Sequence, residues 1–197
     1  MGRAWPLLIL ALLAASTVTA AQAEVVDLSR VQTEYDAYFR KYTKRYFGPH
    51  FDWRWFKAQA IAESRLDPAV KSPVGAVGIM QIMPATFAEI KKLNPHFEQL
   101  EDPRWNIAAG IFYDRQLFRK WRRPLPGLER LFLTFASYNA GYGGVLKAVK
   151  RTGKQAPTWP EVEPHLPGQT RSYVSQIHRL VKRGRRLRGA QKFLRRS

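Results

Sequence analysis

The sequence predicts an all-α fold in one compact domain. Three observations carry that prediction. Apolar residues recur at three- and four-residue steps through most of the chain. No stretch of any length alternates with period two, as a half-buried strand would. Proline-rich stretches fall between the periodic segments, where they punctuate rather than break helices. The chain has 197 residues, of which 45 % are apolar and 13 % aromatic. That suffices for one real core and argues against disorder.

The elements follow in order. Leu28, Val31, Tyr35, Tyr38, Phe39, Tyr42 and Tyr46 mark an amphipathic N-terminal helix within residues 24–50. A second helix runs from Trp55 to Leu66, with Ala58, Ile61, Ala62 and Arg65 on one face and Asp67-Pro68 as its stop. A third runs from Pro84 to Leu93, with proline at the start, where its missing N–H costs nothing. Asp102-Pro103 reads as an N-cap followed by proline. It opens a long helix with Trp105, Ala108, Ile111, Phe112, Phe118 and Trp121 inside. "RRPLPG" (122–127) breaks the pattern, and Leu128 to Tyr138 resumes it. "NAGYGG" interrupts again before a short helix from Val145 to Lys150. Residues 155–168 hold four prolines and read as a loop. Thr170 is expected to cap the last helix, with Tyr173, Val174, Ile177 and Val181 on its core face.

The ends carry different signals. "MGRAWPLLILALLAASTVTAAQAEVV" has one arginine, a short apolar run and then small residues, with Ala21-Gln22-Ala23 as a cleavage pattern. Residues 1–23 read as a secretory signal peptide, too short in its apolar run to span a bilayer. Localisation is then expected outside the cytoplasm, in the periplasm or cell envelope. There is no cysteine, which excludes a disulfide scaffold. The net charge is +18, and residues 182–197 hold eight basic residues and no acid. Such a tail is either a solvated helix end or an adhesive surface for anionic envelope polymers.

The chemistry narrows to carboxylates. His50, His96, His165 and His178 are scattered, so no metal and no other cofactor is expected. Phosphate-loop and nucleic-acid signatures are absent from the sequence. Glu63 sits in the last turn of its helix between Ala60, Ala62 and small residues. The helix C-terminus and partial burial both disfavour its anion, so it is expected to stay protonated near neutral pH, as a general acid must. A surface Glu paired with Arg65 or Lys57 is the alternative. Gly75 and Gly78 permit tight turns behind it. Gln81, between Met80 and Met83, either satisfies buried backbone or binds something polar. Tyr138 and Asn139 lie at a second glycine-rich turn, as core and cap or as sugar contacts.

Four ordered motifs now carry a resemblance. They are "AESRLDP" with Glu63-Ser64, "SPVGAVGIMQIMPAT", "ASYNAG" and "GQTRSYVSQI", with "NIAAGIFYDRQL" between them. Across about Phe51 to Val181 the chain resembles the soluble lytic transglycosylase domain family, relatives of goose-type lysozyme that cleave bacterial peptidoglycan. It departs at Ile79, Ser137 and Gln169, and at Asp114, where the family has leucine. The resemblance implies a lysozyme-like catalytic domain over 51–181, acting on peptidoglycan glycan strands as a monomer. Glu63 would be the sole acid/base. Ser72, Gln81, Met83, Tyr138, Asn139 and Tyr173 would line the glycan cleft. Asp114 is expected to face solvent beside Arg115. A hydrolytic muramidase on the same fold, or a non-catalytic wall- or polyanion-binding protein, are the rival readings.

Overall fold

The computed structural model describes residues 33–121 and 125–194, with 186–194 as backbone alone. The expected signal peptide, Leu28, Val31, residues 122–124 and the end of the basic tail lie outside the described residues. The described chain is all-α. In order it forms α1 (Asp36–Phe47), α2 (Arg54–Ser64), α3 (Pro84–Leu93), α4 (Pro103–Lys120), α5 (Gly127–Ala140), α6 (Tyr142–Arg151), α7 (Trp159–Val162) and α8 (Gly168–Leu194), with a 3-10 turn Glu163–His165 before α8. No described helix is long and apolar enough to cross a membrane.

The central element is α5. Leu131 to Tyr138 are buried without a break, the mark of a helix enclosed on all sides. Around it pack α4, α6 and α8, while α2 lies against α8, and α1 against α4 and α2. Thus α1 shares the core of the rest. From Trp55 to Ile61, α2 is also buried throughout. That run includes Lys57, whose Nζ meets Asp36 Oδ1 of α1 at 2.5 Å. A buried ammonium persists only with such a partner.

Most boundaries fall where local chemistry puts them. Pro84 opens α3, and the Asp102 carboxylate accepts from Arg104 N at 2.8 Å to cap α4. Four expectations need correction. First, α2 ends at Ser64 rather than at Asp67-Pro68, because Arg65 (φ 59°) and Leu66 (φ 68°) are left-handed. Two such residues in succession cannot continue a right-handed helix. Arg65 is therefore exposed and off the core face. Second, α6 starts at Tyr142, since only Gly141 interrupts the helical run. Third, the proline-rich loop contains α7. There Thr158 and Glu161 form a capping box around Pro160, a signal present in "TWPE" but masked by the prolines. Fourth, Thr170 lies inside the first turn of α8, and its hydroxyl donates to Asn139 Oδ1 at 2.9 Å rather than capping.

Candidate active site

The end of α2 faces a loop, residues 65–83, which is fastened to three helices. Inside the loop, Val77 and Ile82 exchange both backbone hydrogen bonds at 3.0 Å. Gly78 N donates to Val70 O at 2.9 Å, and Gln81 N returns to Gly78 O at 3.0 Å. Gly78 has φ +75°, and a Cβ there would lie 2.7 Å from Asn106 Nδ2. Only glycine meets both demands.

Asn106 of α4 is the main fastener. It is 0 % exposed. Its Oδ1 accepts from Met80 N at 2.7 Å, and its Nδ2 donates to Val77 O at 2.9 Å and Leu100 O at 3.0 Å. From α2, Ser64 Oγ donates to Ile79 O at 2.9 Å. From α5, Tyr138 Oη donates to Met80 O at 2.8 Å. Met80 itself packs over Gly110 of α4, where an added Cβ would come within 2.8 Å of its side chain. The loop is thus a rigid wall rather than a mobile flap.

Glu63 immediately precedes Ser64, the α2 residue bonded to this wall. Tyr173 of α8 donates its hydroxyl to Glu63 Oε1 at 2.5 Å. Burial pushes the Glu63 carboxyl up to about 7, against the opposing pull of that hydrogen bond. Neither expected cation pairs with it: Lys57 is held by Asp36, and Arg65 points to solvent. Burial and the Glu63 charge raise Tyr173 well above the usual phenol range, and the same two causes raise Tyr138. Both hydroxyls therefore stay protonated and act as donors.

The other expected residues take distinct places. Tyr138 is 2 % exposed, with Tyr113 edge-on at 5.4 Å between ring centroids. Its ring belongs to the core and its hydroxyl to the loop. Gln81 (φ 46°) spends its Nε2 on Val70 O at 3.1 Å and Gly78 O at 2.9 Å. The amide therefore satisfies backbone, the first of its two alternatives. Ser72 Oγ accepts from Ala76 N at 2.9 Å and holds a tight turn. Met83 is half-buried at the start of α3. Asn139 is tied to Thr170, which joins α5 to α8 beside Tyr173.

Asp114 overturns its expectation. It is 0 % exposed rather than solvent-facing, because its side of α4 is covered. Its Oδ1 accepts from Gln59 Nε2 of α2 at 3.3 Å. Burial holds its carboxyl well above the usual range, and the nearby Glu63 charge adds to this. Sequence reasoning missed Gln59, Asn106 and Tyr113. The available signal was a lone amide in an apolar run: Gln59 between alanines, Asn106 between Trp105 and Ile107.

The fold and site define a class: an all-helical domain with a carboxyl of raised pKa at a helix end, held by one tyrosine hydroxyl beside a fastened loop. The Transglycosylase SLT domain model matches residues 37–158. The chain belongs to that family. Among curated proteins, it is 31 % identical over 142 residues to membrane-bound lytic murein transglycosylase F of Vibrio vulnificus strain YJ016, covering 70 % of this chain and 26 % of the relative. The Yersinia enterocolitica protein of the same name is 33 % identical over 145 residues, covering 71 % and 29 %. The chain thus spans about a quarter of the length of the curated relatives it matches. Among solved structures, the 70 kDa soluble lytic transglycosylase of Escherichia coli aligns with TM-score 0.66 and 29 % identity, over 79 % of this chain and 24 % of that one. An inactive glutamate-to-glutamine variant of lytic transglycosylase Slt from Pseudomonas aeruginosa aligns with TM-score 0.66 and 27 % identity, over 81 % and 25 %.

Proposed function

We propose that this domain is a peptidoglycan lytic transglycosylase. It cleaves the MurNAc-β-1,4-GlcNAc bond without water and leaves a 1,6-anhydro-MurNAc end. The observation that carries the reading is Glu63: a carboxyl raised to about 7, held by one tyrosine, with no second open carboxylate beside it among the described residues. Asp114, an acid close enough to sense the Glu63 charge, is 0 % exposed and not open to a sugar.

The chemistry balances with one acid. Neutral Glu63 gives its proton to the glycosidic oxygen as the bond to the MurNAc anomeric carbon breaks. The GlcNAc 4-hydroxyl leaves. Positive charge on the anomeric carbon is met by the substrate's own acetamido group, in the manner of substrate-assisted glycosidases. The MurNAc 6-hydroxyl then attacks that carbon, and Glu63 carboxylate takes its proton. Glu63 ends neutral again, and no water is consumed. Tyr173 steadies the carboxylate form between the two steps, and the loop wall holds the sugar against Glu63.

Several facts support this reading. The curated relatives carry the name lytic murein transglycosylase, and one aligned structure is a soluble lytic transglycosylase bound to bulgecin A. In the aligned Pseudomonas protein a glutamate-to-glutamine change gives an inactive variant. The N-terminal pattern favours export to the periplasm, and the net charge of +18 favours adhesion to an anionic wall,.

Mass spectrometry of digested peptidoglycan tests the proposal. Anhydro muropeptides, one water lighter than hydrolytic products, are expected. Reducing ends alone would identify a muramidase instead. Glu63→Gln is expected to abolish release while leaving fold and wall binding intact, and release that survives it would leave only a binding protein.

A further inference from the structure

The mechanism leaves one buried acid unassigned. Asp114 on α4 and Gln59 on α2 are each 0 % exposed. Gln59 Nε2 donates to Asp114 Oδ1 at 3.3 Å. The two remaining oxygens, Asp114 Oδ2 and Gln59 Oε1, are both buried and both without a partner. Gln59 stands four residues before Glu63, one turn behind it on the same face of α2.

An ionised Asp114 would be an unpaired charge in a dry site, with an amide oxygen orphaned beside it. The titratable groups that sense it are Glu63 from α2, Tyr138 from α5 and Tyr173 from α8. Tyr113 precedes it on α4 and is raised by burial and then by the Asp114 charge. Every one of these is an acid, so no cation compensates. One proton on Oδ2 removes the charge and supplies the donor that both orphans lack. Amide and carboxyl are both planar, with a donor and an acceptor side by side, so they can close a ring of two hydrogen bonds.

We propose that Asp114 is a positioning residue: held as the neutral acid, it donates Oδ2–H to Gln59 Oε1 while accepting from Gln59 Nε2, and this closed pair braces α2 against α4 behind Glu63. The inference rests on Glu63 as the catalytic acid. Its consequence is that the site carries one working charge. Glu63 can give up its proton in each cycle without a second anion behind it.

Two measurements on the full chain test this. The first compares kcat, KM and the pH profile of muropeptide release for wild type, Asp114→Asn, Asp114→Leu and Gln59→Leu. Asparagine can form the same closed pair without charge. It is expected to keep kcat within about twofold and to leave the alkaline limb in place. Each leucine variant strands one polar partner, and kcat is expected to fall about tenfold or more with KM nearly unchanged. A large loss in Asp114→Asn, or an acid shift of its alkaline limb, would overturn the proposal, because either means that the charge is used. So would full activity in both leucine variants.

The second measurement needs no activity and no leucine variant. Infrared spectra of Glu63→Gln protein at pH 7 are expected to show the carbonyl band of a protonated carboxyl, absent from Glu63→Gln/Asp114→Asn. Absence of the band in the first protein overturns the inference. If wild type releases no muropeptide at all, the transglycosylase reading fails by itself. The infrared band then still decides the state of Asp114.

Discussion

Tyr173→Phe should move the working pH range of Glu63 upward. The tyrosine hydroxyl sits 2.5 Å from Glu63 Oε1. It donates, so it favours the carboxylate over the acid and pulls the pKa down against the rise that burial produces. A hydrogen bond to a charged group contributes roughly 1.5–3 kcal/mol, which corresponds to about one to two pH units at ~1.4 kcal/mol each. The sign follows from the role. A general acid works while protonated, so kcat/KM falls as pH rises through the pKa of the free enzyme's acid. Wild type is expected to lose activity as pH rises through about 7. Without the hydroxyl, the limb should move to about pH 8 or above. The carboxylate formed in mid-cycle also loses its donor, so kcat at the optimum should drop about tenfold. The assay is muropeptide release across the pH range, with products resolved by mass spectrometry. A limb that stays in place or moves to lower pH would refute the reasoning, because the hydroxyl would then not be engaging the working carboxylate.

Four further outcomes follow from the same geometry. Glu63 ionises near pH 4 in an unfolded chain but near 7 in the fold, so native stability falls as pH rises between those values, by up to about 3 kcal/mol,. Glu63→Gln should therefore unfold at higher temperature than wild type at pH 8 and match it at pH 4, and equal melting at pH 8 would contradict the raised pKa. Asn106→Leu strips three hydrogen bonds from a buried loop anchor and should cost about 3 kcal/mol or more in denaturant unfolding. Gly78→Ala meets both a left-handed φ and the Asn106 amide. It should lose about 2 kcal/mol and most activity, seen together in melting and turnover. Sedimentation with insoluble peptidoglycan should weaken as the Debye length falls from about 30 Å at 0.01 M salt to about 10 Å at 0.1 M. Salt-independent binding would exclude a charge-driven hold.

Local signals in the chain were readable. Asp102-Pro103 and Pro84 open helices by chemistry confined to a few residues, and both helices start there. Glu63 at the end of α2 and the glycine-bearing loop after it were legible for the same reason. The family motif placed Tyr173 only near the site; its bond to Glu63, across 110 positions, came from the fold. The end of α2 was misread because left-handed backbone at Arg65 and Leu66 carries no glycine to announce it. The α7 capping box was hidden among prolines that usually mean a loop.

What the sequence by itself determined is therefore the helical periodicity, the capped starts and the lone acid in a motif. Each depends on residues within a turn or two of one another. Tertiary structure alone decided which polar groups are dry. Periodicity treats α4 as one buried face and one wet face. In the fold α1, α3 and α5 all pack on α4, and Gln59 reaches it from α2. That enclosure turned Asp114 from an expected solvent-facing acid into a buried one, and made Asn106 the anchor of the loop. Burial is set by everything that packs around a residue, and no window along the chain contains it.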